Sequence, residues 1–84
     1  MAKVKIYTWT VCPYCVRAKR LLSEKNIEFE EINLDGDDKA FEALKKKSGM
    51  RTVPQIFINE KLVGGFQELS AINESGELNK LLNS

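Results

Sequence analysis

Two cysteines standing three positions apart are the residues of this chain best suited to chemistry. The pair Cys12-Pro13-Tyr14-Cys15 is a C-x-x-C spacing, which zinc sites, iron–sulfur sites and thiol redox sites all use. A closed zinc site takes four ligands, and the chain holds no histidine and no third cysteine, so zinc within one chain is excluded. As a structural staple the pair would also contribute little, because a bridge closing so short a loop removes little entropy from the unfolded chain. What such a pair does well is form and break a disulfide.

The residues around the pair point the same way. Pro13 suits the first position of a helix, where a missing N–H costs nothing and the fixed φ is already helical. With Cys12 at the N-cap, its sulfur would lie near the free N–H groups of Tyr14 and Cys15 and the positive end of the helix dipole. Both favour the thiolate, the form that attacks. Cys15, one turn further and on the apolar face, is expected to be protonated and less exposed. Cys12 is therefore the expected nucleophile and Cys15 the resolving thiol. Forty residues on, Thr52-Val53-Pro54 precedes a strand, and a proline there cannot donate to a sheet ladder. A cis Val53–Pro54 bond would leave the Val53 backbone groups free to hydrogen-bond an extended peptide.

The elements that must hold these residues are short. Residues 3–8 alternate Val4 and Ile6 on one face and read as a strand. From Pro13 to about Lys25, the positions Tyr14, Cys15, Ala18, Leu21 and Leu22 recur at helical spacing, and Asn26 offers a stop. Residues 27–34 read as a second strand whose alternation slips between Phe29 and Ile32. Asp35-Gly36-Asp37-Asp38 is a turn that supplies an N-cap to a helix over residues 39–48, with Ala40, Phe41 and Leu44 inward. Lys45, Lys46 and Lys47 near its end suit the dipole, and Gly49 stops it. Residues 55–59 and 61–63 form a hairpin about Asn59-Glu60. Gly64-Gly65 breaks the pattern, and two short helices follow on either side of Gly76. Strands joined through a helix are parallel with a right-handed crossover, whereas the hairpin is antiparallel. The sum is a four-stranded mixed α/β sheet flanked by helices, the plan of the thioredoxin fold.

At 84 residues this is one domain, 1–84, and its formal charge of +1 gives no sign of a nucleic-acid or membrane surface. No secretory leader or transmembrane stretch is visible, so a cytoplasmic protein, monomeric in solution, is expected.

With these residues in place, the chain resembles a short bacterial dithiol glutaredoxin from Lys3 to Leu82. The resemblance rests on Ile6-Tyr7-Thr8, on Cys12-Pro13-Tyr14-Cys15 followed by Arg17-Ala18-Lys19, on Thr52-Val53-Pro54-Gln55-Ile56-Phe57-Ile58, and on Gly64-Gly65 before an acidic helix start. It implies a glutathione-dependent oxidoreductase that reduces protein disulfides and glutathione mixed disulfides, serving as an electron carrier in redox homeostasis. The Cys12–Cys15 pair would then be a redox-active disulfide, and Pro13, Tyr14 and a cis Pro54 would support it. Glutathione would be a co-substrate, with no tightly bound cofactor and no metal. It would lie across Tyr14, Arg51, Thr52, Val53, Pro54, Gly65, Gln67 and Glu68. The helix after Gly65 would seat the γ-glutamyl carboxylate on its free N–H groups, and Glu68 would pair with the ammonium group. Glu68 could equally be a first-turn acid stabilising its own helix.

Two positions depart from the family pattern. Trp9 stands where a lysine is common, leaving Arg17 or Arg51 to supply a cation, and Gln67-Glu68 replace a small or acidic residue and Asp. Two rival readings belong to the same resemblance. One is a glutaredoxin-like protein reduced by thioredoxin reductase, whose usual tryptophan-rich segment is missing here. The other is an iron–sulfur carrier with Cys12 from two chains, against which the Pro-Tyr core of the motif argues.

Overall fold

The computed structural model describes residues 2–83. Strand β1 (Val4–Thr8) leads into helix α1 (Pro13–Glu24), strand β2 (Glu30–Asn33) and helix α2 (Asp38–Ser48). Strands β3 (Gln55–Ile58) and β4 (Lys61–Gly64) follow, then helices α3 (Phe66–Ser75) and α4 (Glu77–Leu82). The sheet order is β2-β1-β3-β4, with β1 parallel to β2 and antiparallel to β3, and β3 antiparallel to β4. This is the mixed sheet expected from the order of elements. The hairpin turn places Asn59 and Glu60 at φ 51° and 69°, as a two-residue turn matched to the twist of its strands requires.

Both faces of the sheet are covered, and β3 shows why all four of its residues are buried. Ile56 and Ile58 point into one core with Val4, Ile6, Ala18, Leu22, Leu69 and Leu78, which belongs to α1, α3 and α4. Phe57 points the other way, toward Leu44 of α2, Leu34, Val53 and the two cysteines. Alternation along a strand thus serves two cores at once. Each fully buried Leu or Ile contributes roughly 1.5–3 kcal/mol relative to exposure. Both cysteines belong to this second core.

The second strand begins three residues later than the expected residue 27. The end of α1 takes up the difference. Asn26 adopts φ 58°, and its N–H bonds the Ser23 carbonyl at 3.0 Å while the Ile27 N–H bonds the Leu22 carbonyl at 2.9 Å. These are the paired bonds of a Schellman stop, so Ile27 is still completing the helix. Pairing with β1 starts only at Glu30, opposite Lys5. Further along the pair, the Thr8 hydroxyl donates to Glu31 at 2.7 Å and Lys19 of α1 approaches the same carboxylate at 3.0 Å. The Thr8 bond, aided by Lys19, holds the Glu31 carboxyl below its usual range. Asp37 caps α2 by accepting the Ala40 N–H at 3.1 Å, and Gly49 ends it at φ 75°. Among the described residues no helix is long and apolar enough to cross a membrane.

Candidate active site

Cys12 is the N-cap of α1, extended at φ −154° and ψ 100°, with Pro13 at the first helical position. Its carbonyl accepts the Val16 N–H at 3.1 Å, the first bond of the helix. Its sulfur accepts the Cys15 N–H at 3.2 Å. Of the two N–H groups expected at the sulfur, this is the one that reaches it. Negative charge at that point faces a backbone donor and the positive end of a twelve-residue helix. On its other side the Cys12 thiol points at the Val53 carbonyl, 3.8 Å away, and the Val53–Pro54 bond is cis.

Both cysteines are free thiols in this structure. Cys12 keeps 9% of its surface exposed, whereas Cys15 keeps none. That burial pushes the Cys15 thiol up to about 12, and its hydrogen bond with Cys12 adds to the shift against the opposing Trp9 backbone and Lys19. The two sulfurs are chemically unlike although they share one helical turn.

Beside Cys12 lies an open cleft of about 210 Å³. Its first wall is Tyr14, its second is Met50, Thr52, Val53 and Pro54, and its third is Gly65 with Phe66, Gln67 and Glu68 at the start of α3. Seven of the eight glutathione-site residues expected from the sequence are brought together here. Arg51 is not among them. The chain turns at Gly49, and Arg51 then faces a separate surface hollow with Glu42, Lys45 and Lys46 at the end of α2. Arg17 lines a neighbouring hollow that shares Phe66 with the cleft, and its guanidinium sits 5.3 Å from the centre of the Tyr14 ring. Tyr14, expected on the inner face of α1, is half exposed and leans toward Phe66 at 6.3 Å between ring centres. It sits in the first turn, where α1 overhangs the cleft instead of the core.

Met50 and Phe66 also line the cleft, though nothing in their residue types signals it. Phe66 sits one place before Gln67 and Glu68, and Met50 precedes Arg51 and the Thr-Val-Pro run. Trp9 packs edge to face against Phe41 of α2 at 5.2 Å and stays about a third exposed, at 36%. It forms a wall between α2 and the motif.

Glu68 turns back on its own helix. Its Oε1 accepts the Gly65 N–H at 2.7 Å, one half of a capping box that glycine has no side chain to complete. Gly64 lies directly beneath, at φ +126°, and a Cβ there would stand 2.8 Å from both Cγ and Oε1 of Glu68. Gly64→Ala is therefore expected to lower stability by about 1–3 kcal/mol through backbone strain alone. It should also displace Glu68 from the cap. Thermal unfolding and the amide shift of Gly65 would register both effects, and an unchanged melting temperature would contradict this account.

The glutaredoxin family profile matches residues 4–63. The chain belongs to the glutaredoxin family. It is 49% identical over 82 residues to glutaredoxin 3 of Escherichia coli, covering 98% of this chain and 99% of that one. To the glutaredoxin of Pseudomonas aeruginosa it is 46% identical over 84 residues, covering all of both. Among solved structures it superposes on the Brucella melitensis glutaredoxin with a TM-score of 0.87 at 44% identity, covering 98% of this chain and 89% of that one. It also superposes on a buckwheat glutaredoxin–glutathione complex with a TM-score of 0.92 at 30% identity, covering 98% and 77%.

The fold is thus a thioredoxin fold, and the protein is a glutathione-dependent thiol–disulfide oxidoreductase whose dithiol is Cys12 and Cys15. Glutathione serves glutaredoxins as a co-substrate, not as a tightly bound cofactor. Among the described residues no three His, Cys, Asp or Glu side chains gather into a group that could hold a metal ion.

Proposed function

We propose that Cys12 is the nucleophile of this glutaredoxin and Cys15 its resolving thiol, and that the cleft between Tyr14, the Thr52–Pro54 segment and the start of α3 binds glutathione. The observation that carries this reading is the contrast within one helical turn. The Cys12 sulfur meets a helix N-terminus and the protein surface, and the Cys15 sulfur is sealed beneath it with its thiol pushed up to about 12. The Cys12 thiolate attacks one sulfur of a substrate disulfide, forming a mixed disulfide and releasing the other sulfur as a thiolate. With a glutathione mixed disulfide, Cys12 takes the glutathionyl sulfur, and a second glutathione then attacks it to give glutathione disulfide. With a protein disulfide, Cys15 attacks the mixed disulfide and loses its proton, leaving a Cys12–Cys15 disulfide and a reduced protein. Two glutathione molecules return that disulfide to the dithiol.

Pro13 starts the helix that presents Cys12, and Pro54 ends the segment facing it. In the cleft, the backbone at Thr52 and Val53, which lies outside helix and strand, suits the peptide-like body of glutathione. The unpaired N–H groups at the start of the ten-residue α3 suit its γ-glutamyl carboxylate, with Gln67 and Glu68 at hand for the ammonium end. The protein acts on protein disulfides as a single-domain monomer. A reducing, cytoplasmic setting fits a chain whose only two cysteines are a working pair.

Titration with glutathione, followed by amide shifts, tests the cleft assignment. The largest shifts are expected at Thr52, Val53, Gly65 and Gln67, and shifts confined to other surfaces would overturn it. Glu68→Gln sharpens the test. The amide keeps an oxygen for the Gly65 N–H, so the helix cap survives, while the charge is lost. Glu68 is exposed, and an exposed ion pair contributes only ~0–1 kcal/mol. KM for glutathione should rise a few-fold at most, with kcat nearly unchanged. A large loss of kcat would remove the proposed role from Glu68.

A further inference from the structure

Gln55 is the single polar residue of β3, and it is completely buried. Its Nε2 donates to the Thr52 carbonyl at 2.9 Å and reaches the Met50 carbonyl at 3.4 Å. Those two carbonyls belong to the stretch between Gly49 and Pro54, which is neither helix nor strand yet forms the second wall of the cleft. Its Oε1 has no hydrogen-bond partner among the described residues, so toward the protein the amide acts as a donor alone. The two protons of one NH₂ group thus clip together two carbonyls two residues apart, from inside the fold.

We propose that Gln55 is a positioning residue for glutathione. It fixes the backbone of Met50 and Thr52, and so sets the distance between the Thr52–Val53 segment and Cys12, whose thiol already points at the Val53 carbonyl. The inference rests on the reading that glutathione occupies this cleft. It assigns to a buried strand residue a share of the binding that no contact with the ligand would reveal. Position 55 also has a donor requirement. A methionine matches the length of glutamine and donates nothing, and a glutamate turns a charged acceptor against two carbonyl oxygens.

The experiment compares wild type, Gln55→Met and Gln55→Glu for KM and kcat with glutathione, and for the rate at which iodoacetamide alkylates Cys12. Iodoacetamide is small and needs no cleft. In Gln55→Met, KM should rise about ten-fold, on the order of what the loss of two neutral hydrogen bonds removes. Neither kcat nor the alkylation rate should change by more than about two-fold, a margin that separates weakened binding from weakened attack. Gln55→Glu should be worse than Gln55→Met in KM. An unchanged KM in Gln55→Met overturns the proposal, as does a fall in alkylation rate parallel to the rise in KM, which would make Gln55 a general support of the fold. Should both variants fail to fold, the wild-type side-chain amide decides. Its Nε2 protons should exchange slowly with solvent and more slowly still with glutathione bound, and exchange unaffected by glutathione overturns the proposal. Amide shifts in the wild type separate the two readings. Glutathione-induced shifts missing from Thr52 and Gly65 would overturn the cleft assignment and this proposal with it. Shifts present there, beside an unchanged KM in Gln55→Met, overturn the proposal alone.

Discussion

Replacing Cys12 with serine should reduce thiol exchange to the uncatalysed background, with glutathione mixed disulfides and with protein disulfides alike. A serine hydroxyl keeps nearly the same volume and can still accept the Cys15 N–H, but at neutral pH it offers no anion to a disulfide sulfur. Cys15 cannot take over. It has no exposed surface, and burial pushes its thiol up to about 12, so at neutral pH it is held as the protonated, unreactive form. The melting temperature should stay close to that of the wild type, because Cys12 lies at the rim of the second core and its cap geometry survives. Steady-state reduction of a glutathione mixed disulfide measures the first effect and thermal unfolding the second. Substantial residual turnover in Cys12→Ser would mean that Cys15 attacks, and the assignment of roles would be reversed.

Cys15→Ser should divide the two activities instead of removing both. Reduction of glutathione mixed disulfides needs only Cys12 and a second glutathione, so it should persist within a few-fold of wild type. Reduction of protein disulfides that depends on internal resolution should be lost, and the protein should accumulate as a mixed disulfide at Cys12 that intact mass spectrometry detects. The serine enters a fully buried site, and a hydroxyl left without a partner there costs about 1–3 kcal/mol. A fall in melting temperature of several degrees is expected for a domain of this size. In the reduced wild type, the same contrast predicts one rapid iodoacetamide adduct at neutral pH, on Cys12. Equal labelling of both cysteines would contradict the buried, protonated state assigned to Cys15.

Much of this was legible in the residues because strong local signals agreed with each other. Cys-Pro at a helix start and Asp37 before a helix each favour one backbone geometry, and each adopts it, while the hairpin at Asn59-Glu60 follows from the strands on either side. Where the reading slipped, packing decided between options that local pattern left equal. Ile27 and Phe29 look like strand residues, but the Schellman stop of α1 occupies the first, and the ladder with β1 begins only at Glu30. Tyr14 falls on the helical spacing of the core, yet the first turn of α1 projects past the core and leaves its ring beside the cleft. Arg51 adjoins Thr52 in sequence but faces the end of α2. A neighbour in an irregular segment shares no face with the residue beside it, and no periodicity shows which way it points. Met50 and Phe66 are ordinary apolar residues whose place in the cleft comes from tertiary structure alone. Glu68 was open to two readings, a ligand contact or a helix cap. Its carboxylate makes the cap, and it also lines the cleft.

The order β2-β1-β3-β4 leaves β2 and β4 with one unpaired side each. Such edges are templates on which another chain could add a strand, and the way these are finished bears on solubility. On β2, Glu30 and Glu31 are adjacent and exposed. Glu31 is already paired with Thr8 and Lys19, so the charge left on this edge is that of Glu30, and like charges facing each other across a ladder oppose pairing of two copies. The other edge is four residues long, opens with the charged Lys61 and closes at Gly64, where the chain leaves extended geometry and enters α3. It is too short to offer a second molecule more than a few bonds. The two edges are thereby kept from joining the sheet of one copy to that of another.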